Sequence, residues 1–439
     1  KFLEIGNLLC PVYLKFRESL LTSGIGYEGM IYRNVAEIIK EKNIIDLPFK
    51  KLVFIGFNAL TPCEQLLFKS LEKSDKALFY WDYDEYYLGN EMHEAGHFMR
   101  KNLSRFNDSG KSFIQDNLKS TPKEFTVYSI PSDAGQAQLV NTILEKTQKL
   151  SELGEETAIV LADEELLIPV LNALPPELIE INVTMGYPVS ATPVFSLIEH
   201  LIDLQRNLRS SEGKDPRFYH VDVLPVLQHQ YISLREPGDS VLKVREIHEH
   251  NLIYIHPSRL AINDLFRGIF RKIEKPEDIA VYLLEILEMI TGRDDEKKPV
   301  PAMELEFIYR IYTRIQRLKD VLGRLGMNFN LPTFLRLFHK FLQRTRIPFS
   351  GEPLAGIQVM GVLETRVLDF DRVILLSMNE GSFPKTGNIQ SFIPQNLRFG
   401  FELPTPEYQD SIYAYYFYRL IQRAGDVFML YNNKAEGLN

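Results

Sequence analysis

The spacing of apolar residues changes along the chain, and the changes mark out its parts. From Phe2 to Lys42 apolar residues recur at helical spacing, first through NLLCPVYLKFRESLLTSG and then through YEGMIYRNVAEIIKE, with Gly24 and Gly26 as punctuation. KLVFIGF reads as a strand, and FNALTPCEQLLFKSLEK as a loop and helix with Thr61 as N-cap and Pro62 in the first turn. KALFYWDYDEYY is a second strand with a polar end, and the order strand–helix–strand predicts an α/β sheet. A second such series begins with the strand EFTVYSIPS. It continues with an amphipathic helix from Asp133 toward Gly154, the strand and helix of TAIVLADEELLIPVLNALP, and a short strand, loop and helix in LIEINVTMGYPVSATPVFSLIEHLIDL. Asp163 and Glu164 fit an acidic helix start better than a catalytic carboxylate pair.

From Asn207 to Pro348 the strand pattern stops. Helices are expected in DVLPVLQHQYI, PSRLAINDLFRGIFRKI, PEDIAVYLLEILEMIT and AMELEFIYRIYTRIQRLKDVLGRL, with GRDDEKKPVPA as a polar linker. Strands then resume at Ile357–Val362 and Arg372–Leu376, two short runs rich in Val, Ile and Leu that suit buried parallel strands. LETRVLDFD joins them, too short for a full helix, and NEGSFP stops the second run at Gly381 and Pro384. Ligands gather past the C-terminal ends of parallel strands, so Glu364, Thr365, Arg366, Asp369, Asn379 and Glu380 are expected near one sheet edge. A helix crowded with Tyr and Phe, Glu407–Ala424, and the strand DVFMLY close the pattern; the stripe Tyr413, Tyr416, Phe417 and Tyr418 reads as core packing.

The stretch from Ile357 to Pro384 resembles the fifth conserved motif of UvrD-type superfamily 1 helicases, in which a strand, His-x-x-Lys-Gly-Leu-Glu-Phe, a second strand and Glu-Gly-x-Phe-Pro follow one another. Leu368, Asp369, Phe370, Glu380, Gly381, Phe383 and Pro384 fit, while Leu363, Arg366 and Val367 stand where the His, Lys and Gly would be. Departures of this kind are those of the AddB-type subunit of helicase–nucleases, within the PD-(D/E)xK nuclease family, where the helicase fold persists without a working motor. The resemblance implies two RecA-like parallel-sheet domains with large all-helical insertions. Residues 1–45 would end an insertion in the first domain and 46–123 complete that domain. The second domain would be 124–206 and 349–439, interrupted by a helical insertion at 207–348.

The same resemblance sets expectations for the nucleotide site. An active motor would end its KLVFIGF-type strand in Asp-Glu, which holds Mg²⁺ and aligns the attacking water. Here the place reads Ile55-Gly56-Phe57, with no carboxylate. Gln65 matches a family Gln. Arg423 matches the arginine finger that ends the motif helix, and is expected either as a relic of that site or paired with Glu380 or a neighbour. The phosphate loop GxxxxGK[ST] is absent from the sequence, as are a nuclease motif and a four-cysteine cluster. No catalytic residue and no cofactor are expected in this stretch, magnesium being implied only for a nuclease domain elsewhere in a longer protein. The opening on Lys1 and the ending soon after DVFMLY lead to the same expectation of a piece cut from a longer chain. The implied partners are DNA, as a single strand or duplex end, and an AddA-type helicase subunit. Rival readings are an active DNA-dependent ATPase and a protein-interaction scaffold that binds no DNA.

Composition narrows this further. At 439 residues, two to four domains are expected. The net charge of −8 gives no global nucleic-acid signature, so any DNA contact must be a local patch. The one basic cluster is Arg310, Arg314, Arg317, Lys319, Arg324, Arg336, Lys340, Arg344 and Arg346, with Asp320 the only acid among them and Tyr312 and Phe338 as aromatic neighbours. Arg310, Arg314 and Arg317 share a helix face. The cluster suits phosphate neutralisation, a solvated face or an acidic partner. Residues 93–97 read HEAGH and match the zinc-peptidase pattern through His93, Glu94 and His97. Gly96 weakens the helix that pattern needs, and no motif places a third ligand, so the match reads as coincidental. Two cysteines, Cys10 and Cys63, point to a reducing compartment, taken as the cytoplasm, and no apolar run is long enough for a membrane helix.

Overall fold

The computed structural model describes residues 2–42, 47–110, 116–147, 154–178, 180–209, 215–275, 278–292, 299–325, 331–343, 345–348, 356–385 and 393–433. The chain packs as two compact units, one of Lys1–Thr184 with Gly351–Asn439 and one of Met185–Ser350.

The first unit holds eight strands among its described residues: β1 (Leu52–Ile55), β2 (Ala77–Tyr80), β3 (Glu124–Ile130), β4 (Thr157–Leu161), β5 (Ile181–Val183), β6 (Ile357–Gly361), β7 (Arg372–Leu376) and β8 (Asp426–Asn432). Its longer helices are α1 (Phe2–Thr22), α2 (Glu28–Lys42), α3 (Pro62–Lys73), α4 (His97–Arg105), α5 (Asp133–Thr147), α6 (Leu167–Ala173) and α7 (Pro406–Ile421). Six strands form one all-parallel sheet in the order β3-β8-β7-β4-β6-β5, and β1 and β2 form a separate parallel pair. The central strands are the mostly apolar runs: every residue of β4, β6 and β7 is buried. Parallel strands covered on both faces need such runs, which is why the pattern was legible.

Register is fixed by a polar pair inside that apolar sheet. Gln358 of β6 faces Asn182 of β5 directly, and the Asn182 side-chain amide donates to the Gln358 carbonyl at 2.7 Å. Both are buried, so a one-residue slip would break that bond inside the sheet. Gly356, just before β6, is equally constrained. Its φ is +66°, and an added Cβ would lie 2.1 Å from the Glu180 carbonyl oxygen.

The β1–β2 pair rests on an aromatic cluster. Phe54 lies 4.2 Å from Phe68 of α3 and 5.3 Å from Phe79, ring centre to ring centre, with Trp81 stacked 5.6 Å beyond Phe79. Tyr415 of α7 is buried in the same cluster, which joins the β1–β2 part to the chain that follows β7. Thr61 caps α3 as expected, in a reciprocal capping box with Glu64.

The second unit is mainly helical, with helices at Pro193–Arg206, His220–Gln228, Pro237–Glu249, Asp278–Thr291, Ala302–Leu325 and Leu331–Gln343 among others. It also carries two minimal antiparallel pairs, Phe218–Tyr219 with Tyr254–Ile255 and Gly186–Pro188 with Arg346–Pro348. Strands of two or three residues are too short to show a period, so the apolar pattern did not reveal them.

Two glycine substitutions separate backbone strain from steric clash. Gly381 has φ +82° but open space around it. Left-handed backbone costs an L residue about 1–2 kcal/mol, so Gly381→Ala is expected to cost about 1 kcal/mol and Gly356→Ala, with its added clash, about 3 kcal/mol. Trp81, the single tryptophan, reports unfolding of this unit in urea.

Candidate functional site

The polar centre of the first unit lies where β2 ends, where the crossover from β6 returns to β7, and where α7 ends before β8. The crossover must regain the start of β7 within residues 362–371, because β6 and β7 both run parallel to β4. That return carries Asp369 away from the strand ends at which Glu364, Asn379 and Glu380 sit. The expectation that Asp369 shares their edge is therefore corrected: it lies at the opposite edge, beside α7.

There two aspartates and two arginines interlock. Arg419 donates through Nε to Asp82 and through Nη1 to Asp369 at 2.8 Å, with Leu368 O at 3.1 Å. Arg423 donates through Nη2 to Asp82 at 3.0 Å and through Nη1 to Asp369 at 2.8 Å. The Gln422 amide adds a bond to Asp82 at 3.0 Å and accepts from the Tyr87 hydroxyl at 3.3 Å. Tyr415 OH donates to Asp82 O at 2.9 Å, and Lys123 Nζ donates to the carbonyls of Gln422 and Ala424 at 2.9 and 2.8 Å. The Arg419 side chain is only 5% exposed and that of Asp82 14%. Burial pushes the Asp82 carboxyl up, but the charge of Arg419 and the charge and hydrogen bond of Arg423 outweigh it, so Asp82 sits below its ordinary value.

Arg423 is thus bound to carboxylates on both of its terminal nitrogens, and Glu380 is not its partner. Glu380 is exposed, with no hydrogen bond or ion pair among the described residues. Asn379 is structural: it bridges β7 to β8, donating to Asn432 O at 2.7 Å and accepting from Asn432 N–H at 2.9 Å. Thr365 is buried with its hydroxyl on Val362 O at 2.7 Å, and exposed Glu364 follows β6. Arg366 lies on the return path, its Nε on Leu363 O at 2.8 Å and its guanidinium 5.7 Å from the Tyr416 ring centre. Gln65 donates to Leu60 O at 2.9 Å and accepts from Arg105.

A cavity of about 410 Å³ opens beside the interlock, lined by Ile55, Gly56, Phe57 and Asn58, by Arg366 and Val367, and by Tyr415, Tyr416 and Arg419. Gly56 and Val367 face each other across it with φ of +71° and +64°, and an added Cβ on Gly56 would lie 2.4 Å from Val367. The end of β1 offers apolar side chains and an amide here, and the carboxylate in the lining, Glu64, is held in the α3 capping box by Thr61. These donors do not suit a magnesium ion, which takes oxygen ligands and mostly carboxylates.

The HEAGH segment has a different role. Glu94–Gly96 is a 3-10 turn and the helix begins only at His97, so His93 and His97 are not successive turns of one helix. His93 caps the turn, accepting from Ala95 N–H at 3.3 Å, and its ring packs 4.6 Å from Tyr418; His97 packs 4.8 Å from Phe98. Burial, helped by nearby cations, holds both imidazoles below their ordinary value. Among the described residues no three His, Cys, Asp or Glu side chains gather as metal ligands. The segment instead wraps Arg100, whose guanidinium reaches the carbonyls of Tyr87, Asn90, Glu91 and His93 at 2.8–3.0 Å. A Cβ on Gly96 would collide with that guanidinium at 2.1 Å, so glycine leaves it room. Spacing alone gave no signal for this.

In the second unit the basic face is borne by Ala302–Leu325. Arg314, Arg317 and Arg324 are exposed and meet no carboxylate among the described residues, whereas Arg310 is paired with Glu306 at 2.6 Å. Arg336 and Lys340 are exposed on Leu331–Gln343; Arg344 lies outside the described residues. Tyr312 bonds Glu288 through its hydroxyl at 2.6 Å, Phe338 is fully buried, and Tyr309 is 59% exposed. No protein-family model matches the chain, and no curated protein matches it.

Asp82→Asn leaves Arg419 buried with half its counter-charge and is expected to cost about 3 kcal/mol in urea unfolding followed by Trp81 fluorescence. Because the Asp82 pKa is lowered on folding, its contribution is present above the unfolded value and is lost as pH falls through the folded one. Stability of this unit should therefore drop below about pH 4, and more shallowly in Asp82→Asn.

Proposed function

We propose that this chain is the non-hydrolysing, helicase-like scaffold of an AddB-type helicase–nuclease subunit. It would act in the cytoplasm in double-strand break processing, holding DNA and docking an AddA-type helicase. The parallel sheet of the first unit is compatible with a RecA-like domain, and on this reading the β1–β2 part is the remnant of a second. The observation that carries the proposal is the pairing of Arg423 and Arg419 with Asp82 and Asp369 beside a strand end that reads Ile55-Gly56-Phe57. An arginine that must stabilise a transferring phosphate cannot be held by two carboxylates, and without acidic ligands nothing aligns a metal and water. Hydrolysis is lost while the scaffold stays joined.

DNA would be held by the second unit. Arg314, Arg317 and Arg324 recur at helical spacing on one face and have their guanidinium groups available for phosphates, with Tyr309 near enough in sequence to stack on a base.

Anisotropy titration of a labelled oligodeoxynucleotide tests this. The chain is expected to bind single-stranded DNA at low salt and to show no DNA-stimulated ATP turnover. Arg314→Ala with Arg317→Ala should lower the slope of log K against log salt by about 1.4, two phosphate contacts at about 0.7 each. Binding that is absent even at low salt would favour the protein-interaction scaffold, and ATP turnover abolished by Arg423→Ala would favour the active motor.

A further inference from the structure

One face of α7 lines a second cavity. Asp410, Tyr413, Ala414 and Phe417 recur at three- and four-residue spacing and border a space of about 300 Å³. Ala414 is the smallest of them, and a longer side chain there would fill part of that space. Phe383 and Pro384 bring a second segment to the lining. The loop after β7 places them: Asn379, tied through its side chain to Asn432 of β8, accepts on its carbonyl from Ser382 N–H and Phe383 N–H, both at 3.0 Å. Glu94, at the head of the Glu94–Gly96 turn, is the third segment.

This lining joins aromatic rings to negative charge. The Phe383 ring centre lies 5.8 Å from that of Tyr413 at an interplanar angle of 88°, and 6.1 Å from that of Phe417 at 48°, so three half-buried rings stand at different angles beside one space. Each ring face carries the negative end of its quadrupole. The carboxylates of Glu94 and Asp410 accept no hydrogen bond and form no ion pair among the described residues. The neighbouring basic groups leave that charge unanswered. Burial and the charge of Arg100 hold the His93 imidazole below its ordinary value in spite of Glu94, so it is neutral at pH 7. Arg100 itself is bound by the carbonyls of Tyr87, Asn90, Glu91 and His93. Lys101 and Arg398 line a different cavity, and exposed Lys385, which follows Pro384, pairs with neither carboxylate among the described residues.

We propose that this cavity binds an organic cation, an alkylammonium or alkylguanidinium group. Glu94 and Asp410 hold its charge, and Phe383, Tyr413 and Phe417 receive its carbon- and hydrogen-bearing surface. A cation over a ring face is attracted within about 6 Å of the ring centre, and aromatic cages select such groups. Other classes fit worse. An anion would meet two carboxylates and the negative faces of three rings. A bare metal ion needs more ligands than two carboxylates, and phenyl rings supply none. An uncharged apolar group would strip water from both carboxylates with nothing in exchange. The cation arrives either as a free amine or as the basic side chain of a partner protein; the recognising chemistry is the same. The inference rests neither on DNA binding nor on the helicase-like reading.

Isothermal titration of the full chain at low salt tests this. The probes are n-butylammonium, n-propylguanidinium and n-butyltrimethylammonium, with 1-pentanol as the uncharged control. Saturable binding of at least one cation is expected, weakening as salt rises, with 1-pentanol binding several-fold more weakly. Glu94→Gln with Asp410→Asn removes the charge at little change in shape and should weaken cation binding several-fold. Phe383→Leu and Phe417→Leu, which keep apolar bulk but remove the ring, should each do the same, with the Trp81 unfolding transition showing that the fold is intact. A second arm uses lysine and arginine acetylated at the α-amine and capped as methylamides. Capped residues that bind as tightly as the alkyl cations assign the site to a partner's side chain; capped residues that are excluded assign it to a free amine. Pentanol binding as tightly as the cations overturns the proposal, since the cavity is then merely apolar. So does the absence of saturable binding at high millimolar cation, or binding indifferent to the double carboxylate variant.

Discussion

The first unit depends on two arginines, one buried and one half-buried, finding two aspartates. Asp82 ends the β2 segment, Asp369 sits on the β6–β7 crossover, and Arg419 and Arg423 lie one turn apart at the end of α7. Arg419 and Asp82 have been taken largely out of water, which is costly, and pairing with good geometry offsets that cost, while Asp369 stays half-exposed. Removing any one member would strand its partners, so three segments remote in sequence are held to one arrangement. The supporting bonds from Gln422, Tyr415, Tyr87 and Lys123 satisfy the remaining polar atoms, which such a network requires.

The crossover shows what that constraint sustains. Ten residues bring the chain from the end of β6 back to the start of β7, and they do so with Val367 at φ +64°. A β-branched residue is strained there, and such strain persists only where neighbours over-determine the path. Phe370 buried in the sheet core, Leu368 O on Arg419 and Asp369 on both arginines provide that determination. Gly56 across from Val367 is the reciprocal accommodation, since any larger residue would meet the valine. The same packing shapes the cavity and leaves Asn58 lining it.

Some signals in the chain were local and therefore legible. TAIVL, IQVMG and RVILL are mostly apolar because strands at the middle of a parallel sheet are buried on both faces, and each appears as a central strand. Thr61, Pro62 and Glu64 write a helix start in four residues, and the cap forms from those residues alone. The same local reading was misleading where a side chain acts at a distance. Asp369 looked like a strand-end residue because sequence order hides a return path. HEAGH matches a ligand pattern and reads as coincidental, but nothing in its five letters reveals that Arg100 must pass over Gly96.

The amino-acid sequence by itself determined which segments are buried, which are helical, where helices begin, and that β1 ends without a carboxylate. These follow from the period of apolar residues and from contacts within a few positions. Only the tertiary structure decided the strand order, the partners of Arg419 and Arg423, and the residues that line the cavity beside them. Those are pairings between residues up to 341 positions apart, and charge or hydrogen-bonding capacity in a sequence does not say which of many possible partners lies within 3 Å.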